Sequence, residues 1–247
     1  MMNLIASKKS WLLAPVLFAL SVGILFIVWA VMEPAALQLA FDNNGVSPVE
    51  LMTLPLFALI IPLVWLCPPV SGSVGRKCFW ASIYSLLGFM ALVRQQDWHK
   101  ALMSELYPQI VSNFRGTVFK MRFLKADDIP LMPKLVVVLF FVLFFVAVVL
   151  PLARYALALF KEFFKFNPVA WTMAVFGASS VMVLVLDRLP ANLRHMGVAV
   201  SDSSLALMKA LEEGGEMMMA LFALLAILQA FLIYGWKDCE NRCSTWT

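Results

Sequence analysis

Ten ionisable side chains stand near the ends of apolar blocks: Glu50, Arg94, Asp97, His99, Asp187, Arg188, His195, Glu212, Glu213 and Glu216, both histidines included. Carboxylates and imidazoles gathered on one side of a membrane could hold a cation or a metal, or do acid–base work on a lipid headgroup. Glu212, Glu213 and Glu216 precede or open an apolar block, where a helix dipole favours negative charge, although capping needs only one carboxylate. Glu212 and Glu216 are four apart and share a helix face, but Gly214 and Gly215 lie between them. That pair weakens a helix and is expected to form a hinge or a place where backbone approaches a ligand.

The other members carry more ordinary expectations. Ser47-Pro48-Val49-Glu50 reads as a capping box with proline at the first helical position, after a turn at Asn43-Asn44-Gly45. Asp97 and His99 are two apart and do not share a helix face. His99 therefore meets a carboxylate from another loop or serves as a solvated anchor beside Trp98. Asp187 and Arg188 read as a local ion pair that could also orient Glu216. His195 is flanked by Arg194 and Met196. Any metal would draw on His99, His195 and Glu216.

The elements that position these groups follow from composition. Of 247 residues, 62% are hydrophobic and 14% charged, and the mean hydropathy is +0.87. Soluble domains run at about 45–50% apolar and about 25% charged. That difference excludes a soluble globular protein, a disordered chain and a nucleic-acid binder. A span needs about 20 apolar residues, which predicts an all-α integral membrane fold of about six transmembrane helices. The blocks are 11–32, 48–67, 78–93, 135–153, 169–186 and 217–236, forming a single polytopic domain over 1–247. Block 11–32 follows Lys8 and Lys9 but is too long for a signal-peptide core and is expected to stay as the first helix.

One connection is long. Over 94–134, Trp98, Leu102, Leu106, Ile110 and Phe114 recur every four residues among polar ones, predicting an amphipathic helix in the membrane interface. Arg115, Lys120, Arg122 and Lys125 follow and could grip anionic headgroups. A second amphipathic stretch, 154–166, sets Lys161 and Lys165 among phenylalanines, as suits a helix end resting on the cytoplasmic leaflet. Within the spans, Ala170, Ala174 and Ala178, and also Ala226 and Ala230, read as small-residue ladders for helix packing. Ser179, Ser180 and Gln229 should find partners on neighbouring helices, and Pro55 and Pro62 predict a kink. No charged residue falls at a span centre, which counts against a proton pump or voltage sensor.

The basic residues divide almost evenly between the two faces. Those on the N-terminal face crowd short loops, so both termini are placed in the cytoplasm of a bacterial inner membrane. Cys67, Cys78, Cys239 and Cys243 then share the reducing side. Four thiols could bind zinc, but no CxxC spacing occurs, and inert cysteines are the expectation. No HExxH, GxSxG, Walker A or GxGxxG motif is present, and no cofactor is implied.

The leading expectation is a membrane binding or transport-type protein with an acidic and histidine-bearing cluster at the outer leaflet. Its ligand site comprises Asp97, His99, Asp187, Arg188, Glu212, Glu213 and Glu216. A structural or assembly subunit with membrane partner subunits is the first alternative. A membrane-embedded, metal-assisted hydrolase or transferase acting on lipid is the second, so enzymatic activity stays open at this point.

Overall fold

A computed structural model describes residues 7–41, 47–96, 98, 124–125 and 129–235. They are overwhelmingly helical, with no strand among the described residues. A 3-10 turn at Lys8–Leu12 leads into α1 (Leu13–Val31), followed by α2 (Pro34–Phe41), α3 (Pro48–Leu66) and α4 (Val74–Gln95). Then come α5 (Leu131–Phe163), α6 (Pro168–His195) and α7 (Asp202–Ala230), the last continued by a π turn at Phe231–Gly235.

Five segments are long and apolar enough to cross a membrane: Lys9–Val31, Pro48–Leu66, Leu131–Phe163, Pro168–His195 and Asp202–Tyr234. The all-α membrane-type fold is thus present, with five such helices where about six were expected. The difference is α4. It has 22 residues, or about 33 Å of helix, but Arg76, Lys77 and Arg94 occupy its end turns, with Ser82, Ser85 and Gly88 between them.

Three helices outrun the apolar blocks from which they were read. The α5 helix continues through Arg154 to Phe163, absorbing most of the expected interfacial stretch 154–166. It contains a π turn at Phe145–Val149, just before Pro151, whose missing N–H cannot close the regular ladder there. The α6 helix reaches His195, so Asp187 and Arg188 lie inside a helix rather than at its end. The α7 helix starts at Asp202, where the Ser201 side chain accepts from the Ser204 N–H. Gly214 and Gly215 are therefore helical and buried, not a hinge.

The chain divides into two compact units, one of Met1–Leu92 with Phe160–Thr247 and the other of Val93–Leu159. Neither boundary has the composition of a linker. In the first unit α7 is the central helix. One of its faces packs Ala206, Ala210, Met218 and Phe222 against Ala14 and Leu25 of α1 and Leu37 and Phe41 of α2. Another sets Ala220 and Ile227 against Phe57, Ile60 and Val64 of α3 and Ala81 of α4.

Close approach depends on the glycine pair. A Cβ on Gly214 would stand 2.7 Å from Leu25 Cδ1, and one on Gly215 would stand 2.6 Å from Val183 Cγ2 of α6. With Ala206 and Ala210, Gly214 continues a small-residue stripe at four-residue spacing, as close-packed membrane helices use. The Ala170, Ala174 and Ala178 ladder is only partly internal, because Ala174 and Ala178 are exposed; Ala226 and Ala230 are buried. The α3 helix runs unbroken through Pro55 and Pro62.

The mid-span polar residues divide. Ser179 and Ser180 donate to carbonyls of their own helix, those of Val175 and Phe176. Gln229 is reached from the neighbouring helix, since Thr172 Oγ1 donates to its Oε1 at 2.6 Å. The Gln229 side chain is 0% exposed, and its Nε2 has no hydrogen-bond partner among the described residues. An orphaned buried donor costs about 1–3 kcal/mol. Gln229→Met should therefore leave the thermal unfolding midpoint in detergent unchanged or raised, with Thr172 turning to a carbonyl of its own helix. A loss above about 2 kcal/mol would contradict that account.

Candidate functional site

The site is built on the third and fourth turns of α7. Glu212 and Glu216 lie on one face, four apart, and Glu213 stands beside them, three from Glu216. Glu212 and Glu216 are only 5% and 6% exposed. Lys209 pairs with Glu212 at 2.9 Å, its ammonium lying at the surface end of the group. Glu50 approaches from the first turn of α3, and Glu213 feels the charges of Glu216, Glu212, Glu50 and Lys209.

Glu50 is held in the geometry its sequence implied. The Glu50 N–H donates to Ser47 Oγ at 3.1 Å, the Ser47 N–H donates to Glu50 Oε2 at 2.9 Å, and Ser47 Oγ donates to the Phe41 carbonyl at 3.0 Å. The capping box fixes the side chain at the positive end of α3 and ties it to the end of α2. Glu50 thus serves a local structural purpose and adds its charge to the cluster.

Aromatic residues give the cluster a depth along the bundle. At one end, Trp11 packs 4.7 Å from Trp171, centroid to centroid. Toward the other, Trp29 Nε1 donates to the carbonyl and hydroxyl of Ser203. Leu25, which meets Gly214, lies between Trp11 of the 3-10 turn and Trp29 of α1. At roughly 1.5 Å per residue it is about 21 Å from Trp11 and about 6 Å from Trp29. Along α7, Glu212 and Glu216 lie about 14 and about 20 Å from Ser203, so the carboxylates stand between the two aromatic ends.

The remaining expected residues do not join them. Asp187, Arg188 and His195 are exposed on α6. Neither Asp187 nor Arg188 forms an ion pair among the described residues, so the local pair expected between them is not made. His195 lies in the last turn of α6, where its position suits the helix dipole. Asp97 and His99 lie outside the described residues, as does most of the interfacial loop expected over 94–134. Arg94 is exposed in the last turn of α4.

Among the described residues no three His, Cys, Asp or Glu side chains converge to hold a metal ion. Cys67 and Cys78 are free thiols, and Cys239 and Cys243 lie outside the described residues. Of the expected metal ligands, His195 is exposed on α6 and Glu216 is buried on α7, and His99 lies outside the described residues.

Two features of the site escaped the sequence. One is Lys209, whose i,i+3 relation to Glu212 becomes visible only once α7 is known to extend that far. The other is the structural purpose of the Gly pair, which brings α1 and α6 against the turn bearing the acids. Spacing offered a signal, since Ala206, Ala210 and Gly214 recur every four residues. No family model, no curated protein and no solved structure matches the chain.

Proposed function

We propose that this chain is a multi-pass membrane protein of the binding or transport type, whose carboxylate cluster on α7 and α3 holds a cation. The observation that carries this reading is the burial of Glu212 and Glu216 inside a membrane-length helix, with Glu50 also buried in the first turn of α3. Ionisable groups buried in a membrane-length helix are expensive, and the default reading of such groups is an ion or substrate site. Lys209 pairs with Glu212, and the negative charge of the neighbouring acids favours a cationic ligand such as the ammonium of a lipid headgroup. In the orientation set by the short basic loops, and with the 22-residue α4 crossing as a sixth span, both termini lie in the cytoplasm of a bacterial inner membrane and the cluster faces the outer leaflet.

A ligand that binds only the folded state raises its stability, by about 2.7 kcal/mol at a hundred times its dissociation constant. Na+, K+, Mg2+, Ca2+ and ethanolamine, each added to the detergent-purified protein, should therefore include one that raises the unfolding midpoint. The Glu213→Gln/Glu216→Gln variant should fold and lose that response. Equal responses in both proteins would remove the proposal.

A structural subunit is the second reading, supported by α5. Its Leu, Val and Phe side chains are exposed along most of its length, a surface suited to lipid or to the helix of a membrane partner subunit.

A further inference from the structure

The chain end opposite the carboxylates carries a different chemistry. Residues 160–167 leave α5 and enter α6 through Phe166, whose φ of 56° is left-handed. For a residue with a Cβ this conformation costs about 1–2 kcal/mol, so the surroundings must impose it. They do so with rings. Phe166 lies 5.0 Å from Trp11, and Trp171 stacks on Phe163 at 4.2 Å. The Trp171 indole N–H also donates to the Phe163 carbonyl. Asn167 completes the lock, since its Oδ1 accepts from the Val169 N–H and its Nδ2 donates to the Tyr234 hydroxyl at 2.7 Å.

On this rigid turn Phe160 and Phe164 are exposed, as is Lys161 beside them. Lys9 is exposed on the turn that carries Trp11. Lys165 is paired with Glu162 at 2.6 Å, whereas Lys9 and Lys161 form no ion pair among the described residues. Exposed rings alternating with uncompensated ammonium groups match the boundary of a bilayer, with rings among the upper acyl carbons and ammonium at phosphate depth.

We propose that residues 160–167 and the Lys8–Leu12 turn form a seat for an anionic phospholipid, with its phosphate against Lys9 and Lys161 and its acyl chains along Phe160 and Phe164. The seat is independent of the carboxylate cluster and of any ligand bound there.

The full chain, in nanodiscs of equal parts phosphatidylglycerol and phosphatidylcholine, is extracted in mild detergent and its retained lipids are weighed by native mass spectrometry. Phosphatidylglycerol should be enriched. An ammonium near the surface is worth about 1 kcal/mol toward an anionic lipid, so Lys9→Gln and Lys161→Gln should each lower the enrichment about fivefold. Lys161→Arg should keep it, and Arg194→Gln, exposed at the far end of α6, should leave it unchanged. No enrichment in the parent, or undiminished enrichment in a folded Lys9→Gln/Lys161→Gln protein, would overturn the proposal. Displacement of the lipid by inorganic phosphate alone would also overturn it, by assigning the lysines to a free anion.

Discussion

Gly215→Val is expected to destabilise the protein by about 3 kcal/mol, the upper part of the range for overpacking a close-packed interior. A Cβ at this position already stands 2.6 Å from Val183 Cγ2 and 3.1 Å from Met182 Cε. Valine at 183 is stiff at χ1 and cannot swing aside, so α6 and α7 must separate. Gly214→Ala should be milder. Its 2.7 Å encounter is with the far end of Leu25, a side chain with rotamers to spare, and alanine regains about 1 kcal/mol of helix propensity. Unfolding midpoints in detergent would rank the variants. Combining Gly215→Val with Val183→Ala should recover part of the loss, and a double variant no more stable than additivity allows would place the strain elsewhere. Because the same turn carries Glu213 and Glu216, Gly215→Val should also weaken any ligand that the carboxylates hold.

Trp171→Ala is expected to cost about 3 kcal/mol, within the range for deleting a large aromatic side chain. The indole touches Phe163, Trp11 and Phe166 and supplies the hydrogen bond to the Phe163 carbonyl. Without it nothing equivalent holds Phe166 at its unfavourable φ. Limited proteolysis should then cut within 160–167 at enzyme levels that leave the parent intact. Trp171→Phe keeps a ring but not the N–H and should lose about 1 kcal/mol. Equal protease resistance in the alanine variant would show that the turn does not depend on this knot.

Much of the fold was legible because one force dominates it. Apolar runs of span length announce helices, and the beginnings of α1 and α3 fall within a few residues of the blocks read from composition. The capping box at Ser47 and Glu50 was legible because it is local, using three consecutive peptide units and two side chains. The true start of α7 was not. Residues 202–216 hold a lysine, four acids and two glycines, a composition that reads as a polar loop. They are helical because Ala206, Ala210 and Gly214 let other helices approach closely, and that packing is a property of partners distant in sequence. The same distance hid the carboxylate site. Glu212, Glu213 and Glu216 could be grouped by spacing, but their burial and the approach of Glu50 depend on how α3 meets α7. Asp187 was grouped with them by proximity to a span end, yet α6 continues past it and leaves it exposed.

The central claim is that buried carboxylates on α7 and α3 hold a cation, and calorimetric titration tests it most directly. The purified protein in detergent is titrated with Na+, K+, Mg2+, Ca2+ and ethanolamine, beside the Glu213→Gln/Glu216→Gln variant. The account predicts saturable heat with at least one of these cations in the parent and none with that cation in the variant. No saturable binding of any of them to the parent, or the same isotherm in both proteins, would contradict it.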